Sequence, residues 1–149
     1  MPVTMEQVRA ALDPEEPNYE KATKLGPDAL PHLQKLIQGK DPGLASKAAS
    51  LARMIGGERA GAVLEKATSH KDVRVRVAAA HSAQNLPPEA TSQVLATLVA
   101  DDDVGVQKVA LRSVPRAASA ELRASVETLS KKKSSPVNEL SQQTLKRMR

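Results

Sequence analysis

The sequence predicts an all-α protein, a solenoid of about four to five antiparallel helical hairpins stacked at a 31-residue period. Three observations lead there. Asp41, Asp72 and Asp103 stand 31 residues apart, and each opens a segment of the same kind: DPGLASKAASLARMIG, DVRVRVAAAHSAQNLP and DVGVQKVALRSVPRAA. Apolar columns keep that step, with Leu44 over Val75 and Val106, Ala48 over Ala79 and Ala110, and Ile55 over Leu86 and Ala117. Self-similarity at a period of this size marks a stacked array of one supersecondary unit. The third observation is compositional. The chain has no Phe, no Trp and one Tyr, so Ala, Leu and Val must fill its core, and small side chains let helices approach closely.

The elements follow in order. Thr4 with Gln7 makes a capping box for a short helix through Leu12. Asp13-Pro14 echoes Asp41-Pro42, and Asn18 to Leu25 reads as a shortened second helix ending at Gly26, with Tyr19 closing the end of a small core. Terminal repeats are atypical because one face meets water instead of a neighbour. The first helices of the hairpins carry Leu33, Leu64, Leu95 and Val126 in one column and Leu36, Ala67, Leu98 and Leu129 three residues on, the helical spacing. Gly26-Pro27-Asp28, Pro87-Pro88-Glu89 and Ser119-Ala120-Glu121 each put a cap or a proline before an acidic first turn. In the second helices Asp41, Asp72 and Asp103 are N-caps, and Pro42 and Pro136 are expected at the first helical position. Gly56-Gly57 ends one second helix, and Pro115 shortens another because the residue before a proline avoids the helical region. A fourth copy starts at Ser134–Ser135, with Val137 under Val106 and Leu145 under Val114, and the last helix is read from Pro136 to Arg149. Residues 1–149 thus form one domain: a degenerate capping repeat over 1–25, then repeats over 26–56, 57–87, 88–118 and 119–149.

Composition narrows the chemistry. Without cysteine there is no disulfide, thiolate or Cys-based zinc site, which suits a reducing, cytoplasmic setting. No apolar stretch is long enough to span a membrane, and the N-terminus lacks the basic and apolar regions of a secretory signal. His32, His70 and His81 fall on different elements and match no metal-binding spacing. The glycines fit neither phosphate-loop pattern, and no nucleophile motif is present. The reading is therefore of a non-enzyme with no cofactor, no metal and no evident small-molecule substrate.

The second helices resemble HEAT-type repeats, in particular the short repeats of phycobilisome-lyase-like HEAT proteins. Asp72-Val73-Arg74-Val75-Arg76-Val77-Ala78-Ala79-Ala80 carries the pattern best, and Ala45 and Gln107 stand where it has Arg76. The resemblance covers residues 25–149 and implies a right-handed superhelix whose second helices line a concave, partner-binding side. It also implies a ladder between repeats, for which Arg76 has Asp41, Asp72 or Asp103 as acceptors, and it leaves a lyase-like subunit as an alternative function.

Subtracting the buried columns leaves an exposed face. Ser50, His81, Arg112 and Gln143 form one column, beside Arg53, Gln84 and Lys146, and Met54, Asn85, Arg116 and Arg147. On the other flank lie Ser46, Val77, Lys108 and Glu139, then Lys47, Ala78, Val109 and Leu140. Lys47, Arg53, Lys108, Arg112, Arg116, Lys146 and Arg147 face a single acid, Glu139, whereas the whole chain has 22 basic and 17 acidic residues. Segregated charge focuses potential and speeds capture of an opposite partner. The partner expected here is a protein with an acidic or phosphorylated segment, held by these cations and an apolar strip of Met54, Val77, Ala78, Val109 and Leu140. A nucleic-acid backbone is the alternative, since phosphate contacts need only Lys and Arg.

Overall fold

The computed structural model describes residues 2–148 and every side chain between them except that of Asn85. Ten α-helices and, among the described residues, no strand are found: α1 (Met5–Leu12), α2 (Tyr19–Ala22), α3 (Leu30–Ile37), α4 (Pro42–Ile55), α5 (Gly57–Ala67), α6 (Val73–Ser82), α7 (Pro88–Leu98), α8 (Val104–Ser113), α9 (Ala120–Lys131) and α10 (Asn138–Arg147). Single 3-10 turns over Thr23–Leu25, Pro27–Ala29 and Ala83–Asn85 lengthen α2, lead into α3 and end α6. The helices form two layers. In one, α3, α5, α7 and α9 each pack on the next; in the other, α4, α6, α8 and α10 do the same. Each helix of the first layer also packs on the one that follows it in sequence, so the protein is an all-α solenoid of helical hairpins. Helices α1 and α2 close the N-terminal end by packing on α3 and α4.

Local chemistry sets the helix ends. The Thr4 hydroxyl accepts from the Gln7 N–H at 3.2 Å while the Gln7 side chain accepts from the Thr4 N–H at 2.9 Å, which is the reciprocal capping box. Asp41 accepts from the Leu44 N–H, Asp72 from the Arg74 N–H and Asp103 from the Val106 N–H, at 3.1, 2.8 and 3.0 Å. Each satisfies a helix-start donor that has no partner inside the helix. Gly56 ends α4 at φ 76°, a left-handed backbone that suits glycine. Val114 is extended ahead of Pro115, so α8 stops at Ser113.

The core is a continuous seam between the layers. Leu33, Leu64, Leu95 and Val126 are buried at successive levels, and so are Leu36, Ala67, Leu98 and Leu129. Val75 and Val106, and Ala48, Ala79 and Ala110, answer them from the second layer. Tyr19 packs half-buried at the N-terminal end, beside the Ser50 side chain. Burial pushes its phenol above the ordinary value of 10.0, against the opposite pull of the Ser50 hydrogen bond.

Three expectations are corrected. Pro136 is not at a first helical position: it lies in the turn, and α10 begins at Asn138, whose side-chain amide donates to the carbonyls of Leu129 and Ser130 and ties the turn to α9. Helix α10 ends at Arg147, and Arg149 lies outside the described residues. Ala117 is exposed although Leu86, one step earlier, is buried, because the extended backbone before Pro115 carries the chain out of the helical course. Arg76 does not pair with any of the three capping aspartates. It donates to Asp101 at 2.9 and 3.3 Å and to the carbonyls of His70 and Lys71 at 2.8 and 3.1 Å. Asp101, in the next connection, has a carboxylate within reach of Arg76 and also accepts from the Asp103 N–H. One level on, Gln107 donates to the Val99 carbonyl at 3.0 Å in place of an arginine.

Candidate partner-binding face

The candidate residues lie on α4, α6, α8 and α10, which pack one on the next in the second layer, and, for Asn85 and Arg116, in the segments that follow α6 and α8. Their chemical states differ by level. At the α4 level Lys47 is committed to neighbouring carbonyls and Arg53 is withdrawn from full exposure. The Lys47 ammonium donates to the carbonyls of Leu12 at 3.1 Å and Pro14 at 2.8 Å, tying the α1–α2 connection to α4. Arg53 is half-buried, and its Nε–H is buried with no protein partner. Met54 is the most exposed large apolar side chain here, at 43%.

At the α6 level His81 and Gln84 are exposed, Val77 and Ala78 half-buried, and the Asn85 side chain lies outside the described residues. The α6 level also holds Arg74, exposed on the same helix and absent from the sequence-derived set. Its column contains Gly43, Gly105 and Pro136, so no repeat pattern pointed to it. Arg74 bonds to both oxygens of Asp72 at 3.0 and 2.9 Å. That pairing, with the Arg74 backbone N–H, holds the Asp72 carboxyl down at about 2.

At the α8 and α10 levels the cations are available. Lys108, Arg112, Arg116 and Lys146 are exposed and have no hydrogen-bond or ion-pair partner among the described residues. Arg147 is also exposed, but its guanidinium donates to the carbonyls of Val114 and, at 3.1 Å, Leu111. Both carbonyls lie at the end of α8, where the Leu111 carbonyl also accepts from the Val114 N–H, so Arg147 caps that helix from its neighbour. Glu139 and Gln143 are exposed on α10, and Val109 and Leu140 are half-buried between the charged columns.

Beside Arg112 the surface dips into a hollow of about 400 Å³, lined also by Gln84, Leu86, Ser113 and Pro115. Gln84 donates to the Ser113 hydroxyl at 3.2 Å, and that hydroxyl donates to the Val109 carbonyl at 2.8 Å. Its floor is thus internally bonded, and the Arg112 guanidinium at its rim is not. Among the described residues no group of three His, Cys, Asp or Glu side chains could hold a metal ion, and no helix is long and apolar enough to cross a membrane.

A stack of paired helices presenting aligned columns of side chains defines the class: a helical-repeat solenoid. The chain belongs to the HEAT-repeat family, whose model matches residues 30–115, more than half of its length. No curated protein matches the sequence. Among solved structures it is similar to the complex of CpcE and CpcF of phycocyanin lyase from Nostoc sp. PCC7120, with a TM-score of 0.69 and 16% identity over 94% of this chain and 96% of that chain. Identity at that level carries the fold alone.

Proposed function

We propose that the protein is a non-catalytic cytoplasmic adaptor that binds an acidic or phosphorylated segment of another protein across the outward face of α6, α8 and α10. The observation that carries this reading is a set of exposed cations with no partner among the described residues: Lys108 and Arg112 on α8, Arg116 in the connection just after it, and Lys146 on α10, with Glu139 the acid expected beside them. Arginine suits such a role because its planar fork matches a carboxylate or phosphate with two parallel bonds. Val77, Val109 and Leu140 supply apolar contact between the charges. Rigidity supports affinity: Arg147 of α10 donates to the Leu111 carbonyl of α8 and to the Val114 carbonyl just after it, so the two helices are cross-tied before any partner arrives.

The test is fluorescence anisotropy with a labelled acidic peptide and, in parallel, a labelled random-sequence DNA duplex. Reversing charge at Lys108, Arg112 and Arg116 to Glu is expected to weaken peptide binding roughly a hundredfold, the scale of several removed charge contacts. Unchanged peptide affinity overturns the reading. Tighter binding of the duplex than the peptide, with a steep salt dependence, replaces it with backbone binding of nucleic acid. The likeness to a phycocyanin lyase complex supports a second reading, a lyase-type subunit. Visible absorbance from a co-purified pigment distinguishes it from both.

A further inference from the structure

At the opposite edge from the α8–α10 cations, the connections α3–α4 and α5–α6 enclose a cleft of about 630 Å³. That volume falls in the range of roughly 300–1,000 Å³ typical of small-molecule sites. Pro42, half-buried, gives it apolar ground. Lys40, Lys66 and Lys71 line it, and none of their ammonium groups has a partner among the described residues. One acid lines it, Asp72, and both of its oxygens are taken by Arg74. The lining therefore holds uncompensated positive charge.

The walls are built rather than loose. His70 Nε2 lies 3.1 Å from the Gly39 carbonyl in the facing connection, and His70 Nδ1 accepts from the Asp72 N–H at 2.9 Å. With Nδ1 accepting, Nε2 carries the proton and donates across the cleft. The bond joins positions one repeat apart and fixes the spacing of their neighbours, Lys40 and Lys71, which are themselves equivalent. The set is confined to this pair of levels. One step on, the corresponding positions are Asp101 and Asp102, so the cations are not a solvating column that runs along the stack.

We infer that this cleft binds a small organic phosphate, independently of the face that takes the protein partner. Three ammonium groups around one cleft suit a ligand with several negative charges on compact oxygens, to which lysine is a point-charge match. The apolar ground at Pro42 receives the ligand's carbon skeleton.

Titration calorimetry with inorganic pyrophosphate at low salt tests this, with citrate as a polycarboxylate comparator. Saturable pyrophosphate binding is expected, weakened at least about tenfold in Lys40→Glu/Lys71→Glu. The variant Lys132→Glu/Lys133→Glu changes net charge equally in a different connection and is expected to bind normally, as is Arg112→Glu/Arg116→Glu. Untying the walls with His70→Ala, which leaves every lysine in place, is expected to weaken binding several-fold. The charge-reversed sites are exposed and His70 is half-buried, and circular dichroism checks that each variant is folded. Absence of saturable binding, equal loss in the two control variants, or citrate binding as tight as pyrophosphate overturns the proposal.

Discussion

Asp72 carries two loads, a backbone cap and a bidentate bond to Arg74, and both require its ionised form. Its carboxyl sits at about 2 in place of the ordinary 3.8. A group depressed by folding contributes stability that is complete above its unfolded value and is lost as pH falls through its folded one. Thermal unfolding followed from pH 4 down to about 2 is therefore expected to show a shallower decline for Asp72→Asn than for the wild type. Asp103 makes the same cap without an arginine clamp. Asp103→Ala is expected to cost about 1 kcal/mol in urea unfolding, with Asp103→Asn close to wild type. In the core, Leu95→Ala removes a fully buried side chain at a central level, and a loss of about 2–5 kcal/mol is expected in the same assay.

Between elements, Arg76 and Asp101 bind α6 to the connection ahead of α8, at 16% and 10% side-chain exposure. Removing one member leaves the other poorly solvated, so Asp101→Ala is expected to lose about 2–3 kcal/mol, below a fully buried pair because some water reaches both groups. A double-mutant cycle with Arg76→Met isolates the pairing energy from the bond that Asp101 also makes to the Asp103 N–H. Helices α5 and α7 approach so closely at Gly61 that a Cβ there would lie 2.7 Å from the Cβ of Ala90. Gly61→Ala gains about 1 kcal/mol of helix propensity, yet that contact forces the helices apart. The expected net result is destabilisation, relieved when Ala90→Gly is added. A thermal-shift series of the two single variants and the double variant checks this. These element-level features mark where sequence reading ran out. The helix starts at Thr4, Asp41, Asp72, Asp103 and Ser119 were legible, because a cap is decided within about three residues of itself. The acceptor chosen by Arg76 was not, because it is 25 residues away and depends on how two levels stack.

At the scale of the whole molecule, charge is unevenly distributed along the stack. The α4 level spends Lys47 on the N-terminal connection and half-buries Arg53, whereas the α8 and α10 levels leave Lys108, Arg112, Arg116 and Lys146 to solvent. Association through that face is therefore expected to be salt-sensitive. Affinity for an acidic peptide should fall roughly tenfold as salt rises from about 0.05 M to about 0.5 M, since the screening length shortens to a few ångströms. Anisotropy at several salt concentrations reads this directly, and the unfolding midpoint should move far less over the same range because the core is apolar.

The sequence by itself determined the class of fold, the two-helix unit, the buried columns at the helix middles and most of the side-chain-capped helix starts. All of these follow from periodicity and from hydrogen bonds made within a few residues. It also proposed a set of cations for one face, on the ground that a fixed repeat step places equivalent residues on equivalent sides. The tertiary structure decided which of those cations are available. Lys47 and Arg147 find carbonyls on neighbouring elements, 35 and 33 residues away in the chain, and a count of charges along a helix contains no information about such acceptors. It alone brought Lys40, Lys66 and Lys71 to one cleft, because they lie at the ends of different helices and converge only when two hairpins are stacked.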